Sequence, residues 1–160
     1  MRELDVYLIR HEDAEDGDPD EHRALTAEGR RRMARTSKLL LEREKPIDLI
    51  RSSPLVRAVQ TAEILATSLG VEDVEIDEWI ANPPGLTKLL DRISHVPATV
   101  SRVAIVGHEP TLSGLVMLLF PHAQWTGMKR GAVLCARLGG PEPLFRFLVE
   151  PKGPTWREHL

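Results

Sequence analysis

The chain predicts a three-layer α/β/α fold around a mostly parallel central sheet. Val6–Ile9 and Val103–Val106 are continuous apolar runs bounded by polar residues, the pattern of strands buried on both faces. Segments with helical spacing alternate with them, which calls for helices on both sides of the sheet. A length of 160 residues suffices for one core. One domain over 1–150 is expected, with 151–160 as a loosely held C-terminal tail.

The elements follow in order. The first strand covers 4–10 and runs into an acidic loop, 12–22, too rich in like charges to pack. Thr26 caps a helix that starts at Ala27, with Glu28 favourably placed in its first turn. That helix reaches about Glu44, and Pro46 marks its end. Gly29 in its first turn is unfavourable by roughly 1 kcal/mol against Ala, so another group must approach closely there. A second strand covers 47–52. Ser53 then caps and Pro54 opens a helix whose apolar stripe is Leu55, Val59, Ala62, Ala66 and Leu69, stopped by Gly70. A short edge strand at 74–76 leads through Asp77–Ile80 to the loop 82–85. A helix at 86–94, broken by Pro97, precedes the strand 102–107 and a helix at 110–119. Strands at 131–137 and 143–149, joined through Gly139–Gly140–Pro141, form an antiparallel pair at one edge.

Composition narrows the function. A net charge of −3 leaves no electrostatic footprint for nucleic acid, and 4% aromatic content leaves few stacking platforms. No window approaches the roughly 20 apolar residues of a membrane span. The single cysteine, Cys135, lies in an apolar run and reads as a small core residue. One cysteine and no leader before the first strand point to the reducing cytoplasm. Asp16–Asp20 has the look of a calcium loop, but Glu21 stands where such loops need Gly and Ala27 where they need Glu. The six histidines show no ligand spacing, so neither a metal nor a cofactor is expected.

Three strand exits carry unusual polar residues. Arg10 and His11 end the first strand, Ser53 and Arg57 follow the second, and His108 follows the strand at 102–107. If these strands are parallel, their carboxyl ends share the rim where ligands bind in open α/β sheets. Two arginines, two histidines and nearby helix N-termini would then converge on a dianion.

The same residues resemble the histidine phosphatase superfamily, which includes the phosphoglycerate mutases. The matching elements are Leu8–Ile9–Arg10–His11, Leu25–Thr26–Ala27–Glu28–Gly29, Ser52–Ser53–Pro54–Leu55–Val56–Arg57–Ala58–Val59–Gln60–Thr61–Ala62 and Val106–Gly107–His108–Glu109–Pro110. They stand in the family's order over about residues 4–120. The compact spacing, with no large insertion between Leu69 and Val103, is most similar to the SixA-type branch of small phosphohistidine phosphatases.

The resemblance implies a phosphoglycerate mutase-like fold, with 1–150 as a histidine phosphatase-like domain. It implies His11 as the nucleophile that accepts a phosphoryl group, with Arg10, Arg57 and His108 binding its oxygens, and no metal. Members place the proton donor in different loops. Glu78 is the first candidate; Asp13, Asp18, Glu109 and Glu12 are the others. The position after the signature histidine is usually Gly or Ala, and here it is Glu12. Glu12 could turn to solvent, pair with an arginine or act as the acid.

The implied activity is a metal-independent phosphatase working through phosphohistidine on a phosphorylated protein, as a monomer or weak dimer. The alternatives are hydrolysis of small phosphomonoesters at the same site, or a catalytically weak module that binds a phosphorylated ligand because Glu12 impairs turnover.

Overall fold

The computed structural model describes residues 2–160. Among them, seven strands form one mixed sheet in the order β3-β2-β4-β1-β5-β6-β7. The strands are β1 (Leu4–Arg10), β2 (Leu49–Ser52), β3 (Val74–Ile76), β4 (Arg102–Gly107), β5 (Val133–Leu138), β6 (Leu144–Glu150) and β7 (Thr155–Arg157). β1 to β4 are mutually parallel, while β5, β6 and β7 continue the sheet antiparallel from β1. β1 and β4 therefore lie inside the sheet with both faces covered, which is why they read as unbroken apolar runs.

The covering helices are α1 (Ala27–Arg43), α2 (Val56–Leu69), α3 (Glu78–Ala81), α4 (Leu86–Ser94) and α5 (Thr111–Leu119). Alternation along β1 assigns them to two layers. Tyr7 and Ile9 pack with Met33 and Leu40 of α1 and with Ala58, Ala62 and Leu65 of α2. Leu4, Val6 and Leu8 face the other way, toward Ile80 of α3, Leu89 and Ile93 of α4, and Leu112, Leu115 and Val116 of α5. Cys135 is buried in the first of these cores, as expected of a small apolar residue.

Four local readings are corrected. Residues 151–160 are not a loose tail throughout, because β7 pairs with β6 and Trp156 stacks on Phe147 with ring centroids 3.9 Å apart. The antiparallel edge thus has three strands rather than two. Ser53 does not cap α2; Leu55 occupies the cap position with no side-chain bond, and the helix starts at Val56. Asp77 caps a short helix, α3, by accepting from the Trp79 amide at 3.0 Å, where the sequence suggested only a lead into a loop. Among the described residues no helix is long and apolar enough to cross a membrane.

Candidate active site

The parallel register brings the three exits together. Arg10 pairs with Gly107 across β1 and β4, and Ser52 pairs with Val106 across β2 and β4. The pairing continues one residue further: the His11 amide donates to Gly107 O and the Ser53 amide to Val106 O, both at 3.1 Å. His11, Ser53 and His108 consequently leave the sheet side by side. The imidazoles of His11 and His108 have centroids 5.1 Å apart. Arg57 reaches the same place from the first turn of α2.

Arg10, His11, Arg57 and His108 line one cavity of about 490 Å³. Arg23, Arg130, Asp13, Ala14, Glu15, Asp16 and Glu109 complete its wall. Arg10 donates to Met128 O at 2.7 Å, and Arg57 donates to Asp20 O at 3.0 Å and to the Asp20 carboxylate at 3.1 Å. The Nε–H of each arginine is buried and meets no protein acceptor. Buried donors without partners are rare, and these two belong to arginines that line one cavity, whose positive charge suits an acceptor-rich ligand.

Both histidines are held neutral near pH 7. Burial lowers the pKa of His11 to about 4, with Arg57 and Arg10 adding to the effect against the hydrogen bond to Glu12. Burial likewise lowers that of His108 to about 3, helped by His11 and Arg57. His11 Nδ1 lies 2.7 Å from the Glu12 carbonyl. A carbonyl only accepts, so the proton sits on Nδ1 and the Nε2 lone pair is free. His108 Nε2 lies 2.5 Å from Ser53 Oγ. That is where the hydroxyl expected to cap α2 goes instead.

The carboxylate candidates separate. Glu78 is exposed and does not line the cavity. Its neighbour Ile80 is buried against Gly107, and two helical residues are about 200° apart around the axis, so Glu78 faces outward. Asp18 is also outside the lining. Asp13 lines the cavity but its carboxylate is taken by Arg130 at 2.5 Å. Glu109 accepts from the Ser113 amide at 2.9 Å, from the Ser113 hydroxyl, and from the Met128 amide at 3.3 Å. Of the three fates open to Glu12, the structure has the pair with an arginine. Its carboxylate is fully buried, lies 3.2 Å from Arg32 and does not line the cavity.

Several contributors were not singled out from sequence. Asp20 holds Arg57, and Arg23 and Arg130 supply further positive charge. Glu109, a candidate acid from sequence, instead ties α5 to the Met128 segment that receives Arg10. Gln60 and Thr61 lie inside a recognised motif without an assigned role. Gln60 accepts from the Leu25 amide at 2.8 Å and Thr61 from the Glu12 amide at 3.1 Å, so both fasten α2 to the loop after β1. Among the described residues, no three His, Cys, Asp or Glu side chains cluster as metal ligands.

Residues 6–81 match the model of the histidine phosphatase superfamily, branch 1. No curated protein matches the chain. Among solved structures, a protein histidine phosphatase SixA complexed with tungstate superposes with a TM-score of 0.81 at 22% identity, over 94% of this chain and 99% of that one. A protein assigned as phosphohistidine phosphatase SixA from Agrobacterium tumefaciens gives 0.79 at 23% identity, covering 92% and 98%. The phosphoglycerate mutase of Plasmodium falciparum gives 0.67 at 16% identity, covering 91% and 90%. These similarities establish a shared phosphoglycerate mutase-like fold.

Proposed function

We propose that the chain, whose residues 6–81 match the histidine phosphatase superfamily model, is a metal-independent phosphohistidine phosphatase acting through a covalent intermediate on His11. The observation that carries this reading is a neutral histidine with a free Nε2 in one cavity with Arg10 and Arg57, whose buried Nε–H groups have no protein acceptor.

His11 Nε2 attacks phosphorus, the bond from phosphorus to the substrate nitrogen breaks, and the departing ring nitrogen takes a proton from water. Arg10, Arg57 and His108 bind the transferred oxygens and stabilise their charge. Water then attacks phospho-His11, releasing phosphate and restoring the imidazole.

A nitrogen leaving group is the simpler reading because it needs less acid than an alkoxide and the sequence-derived acid candidates are engaged or turned away, while Glu15 and Asp16 line the wall. Asp13 and Glu109 are engaged, and Glu12 and Glu78 do not face the cavity. A phosphorylated protein fits the compact chain, whose size closely matches the SixA structures. Turnover measured side by side on a protein carrying phosphohistidine and on a phosphomonoester tests this. The reading expects a clear preference for the phosphohistidine protein; a preference for the monoester favours the small-molecule alternative, and no turnover of either favours a binding module.

A further inference from the structure

We infer that Glu12, clamped by Arg32 and admitted by Gly131, is a positioning residue that fixes the ring orientation and tautomer of His11. This rests on the reading of His11 as the nucleophile. The Glu12 carbonyl receives His11 Nδ1–H at 2.7 Å, so whatever holds that carbonyl holds the imidazole.

Residue 12 is anchored on every polar atom it has left. Its amide donates to Thr61 Oγ1 at 3.1 Å, and Thr61 in turn donates to Arg57 O at 2.8 Å. Its carboxylate accepts from the Asp13 amide at 2.8 Å and from Arg32 Nε and a terminal nitrogen at 3.2 to 3.3 Å. An ideal Cβ on Gly131 would lie 2.2 Å from Glu12 Oε1, so only glycine there leaves room for this carboxylate. The Gly131 amide donates to Arg10 O at 2.9 Å and to His11 O at 3.1 Å, stitching the same segment to the end of β1.

The arrangement resolves the chemical conflict posed by a carboxylate next to an anion site. Arg32 neutralises Glu12 on the side away from the cavity, and the chain gains a side-chain anchor for a carbonyl that a small residue could hold only through its backbone. Arg32 sits on α1 and Thr61 on α2, so both helices of that layer bear on the His11 ring.

The test uses protein labelled with ¹⁵N at histidine and examined without ligand near pH 7.5, so it needs no turnover. The wild type is expected to show His11 protonated only at Nδ1. Glu12→Ala and Arg32→Ala are expected to bring in the second tautomer. In the same variants kcat on a phosphohistidine protein should fall about tenfold or more, as small misplacements of reacting groups do. Inhibition by inorganic phosphate should stay within about twofold, because the anion-binding side chains are untouched. Glu12→Gln, which keeps the shape and one acceptor, should recover part of the loss. If either single variant fails to fold, the double Glu12→Ala/Arg32→Ala variant, which strands no buried charge, carries the measurement. A single tautomer that persists in folded variants, or a kcat that stays within about twofold of wild type, overturns the inference. Loss of phosphoryl transfer to His11 in the wild type, with the tautomer shifts present, would instead overturn the functional reading alone.

Discussion

His11 and His108 face each other with ring centroids 5.1 Å apart and planes tilted by 46°. Two imidazoles this close cannot both be charged beside Arg10 and Arg57 without strong repulsion. Both folded pKa values, about 4 and about 3, lie below the ordinary 6.5. Between those values and 6.5 the unfolded chain binds more protons, so stability rises with pH across this window and declines as pH falls below about 6.5. Urea midpoints at pH 7 and pH 4.5 should show that decline. It should shrink in a His11→Gln/His108→Gln variant. A bound oxyanion should raise both histidine pKa values in an NMR titration.

Arg10 and Arg57 each present an unpartnered buried Nε–H. Arg10→Ala or Arg57→Ala should reduce kcat by about 10²–10³-fold, the effect of removing one charge-stabilising donor. Unchanged far-UV circular dichroism would separate this from unfolding.

Gly29 and Gly131 are fixed by close approach. An ideal Cβ on Gly29 would lie 2.6 Å from the Asp13 carbonyl, and one on Gly131 would lie 2.2 Å from Glu12 Oε1. Gly131 also has a φ of +77°. Gly131→Ala and Gly29→Ala should each destabilise by about 1–3 kcal/mol in urea denaturation. An alanine tolerated at 131 would contradict the packing of Glu12 described above.

Glu78 is exposed on α3 and outside the cavity. Glu78→Gln should leave kcat and KM within about twofold of wild type, as for a surface substitution. A large fall in kcat on phosphomonoesters would return Glu78 to the role of acid.

Much of this molecule was legible as sequence because the relevant forces are local. β1 and β4 announce themselves as apolar runs, and the polar residues immediately after them fall at the rim by register alone. Gly29 signalled a close approach because glycine is unfavourable in a first helical turn, and the Asp13 carbonyl fills that space. Contacts between distant segments left no such trace. Ser53 followed by Pro54 looks like a helix start, yet tertiary contact with His108 claims the hydroxyl. The last residues look like a tail because β7 is short and its stability comes from Trp156 lying on Phe147, which no local pattern encodes. Glu12 looked open to several fates because its partners, Arg32 and Gly131, stand 20 and 119 positions away.

The central claim is covalent catalysis by His11, and the most direct measurement is to trap the intermediate. The enzyme is mixed with a phosphohistidine protein, quenched in alkali where phosphohistidine survives, and digested for mass spectrometry. The account predicts a phosphoryl group on His11 that forms and decays within turnover, and its absence together with loss of activity in His11→Ala. Full activity in His11→Ala, or turnover with no phosphoryl group on His11 at any time, would contradict it.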